Sequence, residues 1–284
     1  MVFCNFFIFS FVKRIKSGTL KYEEMKANCM LKVALVMAMS VMTVSCVHRT
    51  RVFTDGGNVS QQSEVRNLKG FEEIEINGSP TVYYSQSDSF SVKVVGPSKS
   101  VADIVTDVVD GTLTIKNRGK VGVFNVVLDE EGQAAVYVSS PDLIGVRLNG
   151  SGDFIGKSQV DTDKIEIALR GSGDISFDNI ICDECQIDLV GSGDIGIDAL
   201  EAKDVSATLV GSGDIKLKEK NVQSTVLGLK GSGDISVNFG QGCKVVSCEL
   251  RGSGDITLSG SVDRYSMQKS GSGEVDVDDL TTRE

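Results

Sequence analysis

The chain has no tryptophan, one histidine and three prolines in 284 residues. The lone histidine, His48, precedes the regular part of the sequence. A histidine general base or a histidine-rich metal site is therefore excluded from anything folded beyond it. Little proline beside 31 glycines points to many tight turns between strands, not to a disordered chain. Basic charge is also short, with a formal net charge of −10. The first 45 residues hold six of the 29 Lys/Arg and two of the 39 Asp/Glu. The remainder has 23 basic and 37 acidic residues, a charge of about −14. That sign excludes a nucleic-acid partner, which needs a basic face.

Long apolar runs are scarce too. Lys32 precedes Val33-Ala34-Leu35-Val36-Met37-Ala38-Met39, and the stretch ends at Val44-Ser45-Cys46. A charged start, a short apolar core and a small residue before a cut mark a secretory signal over 25–45. The run is short for a membrane span. Cysteine at the cut resembles a lipoprotein signal, with Cys46 as the lipidated residue; Thr43 stands where leucine is usual. Plain secretion and a retained anchor are the alternatives. Residues 1–24, with a Phe-rich run and Lys13-Arg14-Ile15-Lys16, do not fit this signal. They read as a mis-called start ahead of Met25, or else as part of a long, unusual signal. Residues 46–67, mostly polar, read as a linker.

The remaining sequence is organised by a repeat. Gly-Ser-Gly begins at Gly150, Gly171, Gly191, Gly211, Gly231, Gly252 and Gly271, at spacings of 19 to 21 residues. Two residues before the glycine stand Leu148, Leu169, Leu189, Leu209, Leu229 and Leu250. Four after it stand Phe154, Ile175, Ile195, Ile215, Ile235, Ile256 and Val275. Apolar residues alternate on both sides of the motif, which is strand periodicity. Each unit is a strand, a Gly-Ser-Gly-Asp corner, a second strand and a variable closing stretch. No unit can bury its apolar side chains alone, so successive units must stack, at about 4.8 Å per coil. Seven coils make a rod about 34 Å long. The expected fold is all-β: a parallel β-solenoid over 143–284, with a less regular β-rich cap over 68–142.

Glycine at the first and third corner positions permits positive φ. Stacking also sets Asp153, Asp174, Asp194, Asp214, Asp234 and Asp255 in a column that ends at Glu274. Like charges so placed repel by about 1 kcal/mol per neighbour in water. Exposure, hydrogen bonds or a cation must relieve this. A calcium β-roll has a nine-residue period, which the twenty-residue period does not match, so no metal site is assigned. Within 68–142, Phe71–Val82 is a degenerate copy of the repeat, and Asp110-Gly111 is a hairpin signal. Val101–Val109 fits either a short helix or a strand.

Four cysteines lie beyond Cys46. Cys182 and Cys185 have redox- or zinc-like spacing. The repeat places Cys185 and Cys248 at inward positions, where a free cysteine packs as a small hydrophobe. A disulfide within Cys182/Cys185 or Cys243/Cys248 stays open. No catalytic residue and no cofactor is assigned. The recurring serines have no histidine for a triad, and the motif lacks the lysine and helix of a phosphate loop. Short, uniform coils also leave little room for the cleft of a polysaccharide-cleaving β-helix.

Three features together carry a resemblance: the lipoprotein-type signal, Phe71-Glu72-Glu73-Ile74-Glu75-Ile76-Asn77-Gly78 with Asp110-Gly111-Thr112-Leu113-Thr114-Ile115, and the repeated Leu-x-Gly-Ser-Gly-Asp-Ile. The chain is similar, over about Phe71 to Val277, to the "putative auto-transporter adhesin, head GIN domain" family, common in Bacteroidetes. The resemblance implies a right-handed parallel β-helix and an adhesin-like role, with no ligand or catalytic residue to carry over. With the signal, it gives a non-enzymatic outer-membrane lipoprotein, held to the membrane by its lipid. The expected partner is an extended glycan or protein, and the rod also suits homo-oligomers. A periplasm-facing scaffold is the alternative, and Val47-His48-Arg49-Thr50-Arg51 fits it, since exported lipoproteins of this group tend to be acidic there. A polysaccharide-active enzyme is the third reading. Specificity is expected in variable stretches such as Asn179–Glu184 and Glu219–Gln223.

Overall fold

The computed structural model describes residues 61–119 and 132–283. The described residues form a stacked parallel β-solenoid of about seven turns and are 72% strand. Its first strands are β1 (Gln61–Arg66), β2 (Glu73–Gly78), β3 (Thr81–Tyr84) and β4 (Ser91–Pro97). A six-residue helix, α1 (Ser98–Asp103), leads into β5 (Ile104–Val109), β6 (Thr112–Asn117) and β7 (Ala135–Ser139). The regular coils follow as β8 (Gly145–Gly150), β9 (Asp153–Asp161), β10 (Lys164–Gly171), β11 (Asp174–Ile181), β12 (Glu184–Gly191) and β13 (Asp194–Glu201). They continue through β14 (Asp204–Gly211), β15 (Asp214–Lys220), β16 (Val222–Gly231), β17 (Asp234–Gly252) and β18 (Ile256–Gly271). Two short strands, β19 (Val275–Asp276) and β20 (Leu280–Thr282), end the chain.

Each coil contributes one strand to each of two parallel stacks. Ahead of the corner, Leu148, Leu169, Leu189, Leu209, Leu229 and Leu250 are successive register partners. After it, Phe154, Ile175, Ile195, Ile215, Ile235 and Ile256 are partners in the same way, the last two joined within β17–β18. All of these side chains are buried. Each contributes about 1.5–3 kcal/mol relative to exposure. One apolar core thus runs the length of the rod, as the alternation predicts. The exception in the repeat, Gly156, has a packing cause: a Cβ there would meet the Phe177 ring at 2.5 Å.

The corners use their two glycines differently. The first glycine has positive φ at every corner, from 126° at Gly271 to 147° at Gly191. The third is not among the positive-φ residues, contrary to the reading from sequence. It is required by close approach: a Cβ on Gly173 would lie 2.0 Å from the carbonyl oxygen of Gly152 in the coil before.

The described residues between 68 and 142 add less regular strands at one end of the stack, by an interleaved route. β2 lies between β6 and β8, and β3 lies between β7 and β9. The chain therefore lays down β2–β3, travels outward to build β6–β7 on the far side, and returns to continue with β8. Gly78 pairs with Gly150, so the degenerate copy is a true coil. The outer edges of β6 and β7 are covered by antiparallel strands, β5 on β6 and β4 on β7. Such cover blocks edge-to-edge pairing. Asp110 and Gly111, with φ of 49° and 81°, form the β5–β6 hairpin turn, as their sequence predicts. The ambiguous stretch from Val101 is the end of α1 followed by β5.

One boundary moves. Gln61–Arg66, placed in the linker by their polarity, are β1, antiparallel to β4. The strand is largely exposed and held by backbone pairing, so burial leaves no apolar pattern to read.

Candidate functional surface

The aspartate column is satisfied from within. The backbone N–H of Asp194 donates to Asp174 Oδ1 at 3.1 Å, and that of Asp214 to Asp194 Oδ1 at 3.0 Å. Asp255 donates to Asp234 Oδ1 at 2.9 Å, and Glu274 to Asp255 Oδ1 at 2.7 Å. Asp174, Asp194, Asp234 and Asp255 thus each cap the N–H of the next corner, a charge-assisted bond, whereas the N–H groups of Asp174 and Asp234 go to the carbonyls of Gly152 and Gly213. Lys216 Nζ adds a contact to Asp214 Oδ2 at 3.2 Å, and this partner raises the lysine pKa. Hydrogen bonds, exposure and a local lysine therefore relieve the repulsion. Among the described residues, no three His, Cys, Asp or Glu side chains converge to hold a metal ion.

The stack of β8, β10, β12, β14 and β16 presents an outward face made of ladders. Near the cap these are polar. Arg147 Nη1 donates to Glu73 Oε2 at 2.6 Å, and Asn149 Nδ2 to Asn77 Oδ1 at 3.0 Å. Lys164 bridges to Glu184 at 3.2 Å, which raises its pKa. Further along, the column that begins at Asn77 and Asn149 becomes Arg170, Val190, Val210, Lys230 and Arg251. Val190, Val210 and Val226 are exposed. A shallow depression of about 160 Å³ lies over Gly228, bounded by Thr208, Val210, Lys230, Glu249 and Arg251. The depressions are open, and the larger ones lie at the two ends of the rod.

Of the residues singled out in the sequence, Cys46 lies outside the described residues. The corner glycines supply the positive φ of the turn and the close approach of successive coils. The four later cysteines are buried and unpaired. Cys182 and Cys185 share a hydrogen bond that lowers the first thiol and, with burial, raises the second. Burial pushes Cys248 up to about 12. The variable stretches are the coil closures, as the repeat predicts. Ile180, Cys182, Glu219 and Val222 within them point into the core. Outward side chains there, such as Asn179, join the ladders, in this case to Gln159 at 3.2 Å. The face ladders are legible only once the repeat is aligned at its outward positions, where residue types vary.

Among the described residues, the architecture is a repeat-built rod with open, shallow depressions on its surface. The family profile described as "Putative auto-transporter adhesin, head GIN domain" matches residues 70–246 and 239–284. The chain belongs to that family. No curated protein sequence matches it. Among solved structures, it is similar to a "putative adhesin" of Bacteroides fragilis at 24% identity, with TM-score 0.67 over 76% of this chain and 96% of that one. A "putative lipid binding protein" of Parabacteroides distasonis gives 22% identity, TM-score 0.59, and coverage of 78% and 97%. A "putative adhesin" of Parabacteroides merdae gives 19% identity, TM-score 0.58, and coverage of 78% and 97%. At these identities the likeness is one of fold.

Proposed function

We propose that the chain is a non-enzymatic cell-envelope lipoprotein whose β-helix head binds an extended glycan or protein partner along its outward ladders. The observation that carries this is the register. Side chains repeat coil by coil over an open face, which matches a partner that is itself extended. Membership of an adhesin-like head-domain family supports it, as does the signal ending at Cys46. A polysaccharide-active enzyme has less support, since the described residues offer shallow depressions and no converging catalytic set. The second reading is a periplasm-facing scaffold, favoured by the basic residues Arg49 and Arg51 after the lipid site.

The two are separated by location. Protease treatment of intact cells is expected to remove the head, and Cys46→Ala to release it from the membrane fraction. A head that stays protected until the outer membrane is broken would place it in the periplasm and sink the surface-adhesin version.

A further inference from the structure

Glu219 occupies a place that neighbouring coils give to apolar side chains. Its register partners are Leu200 in the coil before and Phe239 in the coil after. It is 1% exposed, the one buried carboxylate among the described residues. The register explains how it arrives there. Leu200 follows Ile197 by three residues, across an irregularity, whereas Glu219 follows Leu217 by two. The missing residue turns Glu219 inward. Asn221, at φ 56°, then makes the closure that leads to Val222.

Its surroundings offer the carboxyl little. Thr225 Oγ1 donates to Glu219 Oε2 at 2.6 Å. Oε1 has no partner. Thr225 itself replaces an apolar residue, its partners being Val205 and Val246. The other titratable groups on this side of the core are the Cys243 thiol, 3.7 Å from Thr225 Oγ1, and Cys185, whose pKa Glu219 helps to raise. Both are uncharged when protonated. Lys218 and Lys220, flanking on the same strand, are exposed. No cation therefore pairs with the carboxyl, and an unpaired buried charge is costly.

We infer that Glu219 makes the middle of the rod a pH-responsive joint: its neutral carboxyl is locked in the core, and ionisation loosens the closures at Glu219–Thr225 and Phe239–Cys243. Burial raises the Glu219 pKa from 4.5 to about 7, the Thr225 bond opposing in part. The sign follows from proton linkage. Where the folded pKa is raised, the stabilisation is complete below the unfolded value and is lost as pH rises through the folded one. The coil is thus tightest in mild acid and loosest above neutrality. If opening returns the carboxyl to water, the opening constant rises on the order of a hundredfold between about pH 4.5 and pH 8.

Hydrogen–deuterium exchange of the full mature chain tests this, with rates corrected for intrinsic pH dependence. In the native protein, amides of Glu219–Thr225 and Phe239–Cys243 are expected to lose protection by about that factor across the range. Glu219→Leu, matching Leu200, is expected to abolish the dependence. Glu219→Gln, which cannot ionise, covers the case in which the leucine variant fails to fold. Equal pH dependence in the native protein and a folded variant would overturn the inference. So would a native protein with no dependence in these segments.

Discussion

Gly193 lies directly over Gly173, and a Cβ on Gly193 would stand 1.9 Å from the Gly173 carbonyl oxygen. The contact recurs up the column, so stacking, not turn geometry, holds the third corner glycine in place. Gly193→Ala is expected to destabilise the rod by about 3 kcal/mol or more, since the obstacle is the backbone of Gly173 and not a flexible side chain. Gly196→Ala is the control. Nothing lies within 4 Å of its Cβ position and its φ is not positive. That variant is expected to be neutral or more stable by about 0.4–1 kcal/mol. Urea unfolding of the pair checks the contrast.

Adjacent residues on one strand should behave oppositely. Leu209 is fully buried, while Val210 is 37% exposed. Leu209→Ala is expected to cost about 2–5 kcal/mol. Val210→Ser should stay within about 0.5 kcal/mol of the native protein. Comparable losses at both positions, measured by thermal unfolding, would contradict the inward and outward assignment.

The aspartate column predicts a graded result. Asp194→Ala removes the acceptor for the Asp214 N–H and is expected to cost about 1 kcal/mol. Asp194→Asn keeps a side-chain oxygen acceptor and should cost less. Because each carboxylate is already engaged, the melting temperature should not differ between calcium and a chelator. A rise of several degrees in calcium would mean that the column binds the ion after all.

The sequence showed the solenoid because its repeat is a packing rule: Leu148 to Leu250 and Phe154 to Ile256 must stack to be buried. It showed the Asp110-Gly111 hairpin because positive φ has a residue signature. It hid β1, where backbone pairing with β4 is the main hold on a polar segment. It also hid the interleaving of β2–β3 with β6–β7, which depends on partners about 40 and 70 residues away. Glu219 falls in a variable stretch of the repeat, and alignment on the glycines stops short of the closure, where one residue fewer reverses the facing. The face ladders were legible as positions but not as a site, since nothing in stacking dictates what an outward residue must be.

The cysteines give a further check. Cys182, Cys185, Cys243 and Cys248 are buried as thiols. A thiol reagent is expected to modify them slowly in the folded protein and rapidly in denaturant, because reaction needs an accessible thiolate. Fast labelling of Cys185 or Cys248 in the native state would show that the core is open there.

The most direct measurement is binding of the mature chain to an array of extended glycans and envelope or host proteins, with the bound glycans re-examined for cleavage. The predicted result is saturable binding to at least one extended partner, unchanged by calcium or chelator, with the partner recovered intact. No saturable binding to any member, or recovery of a cleaved glycan, would contradict a non-enzymatic adhesin-like rod.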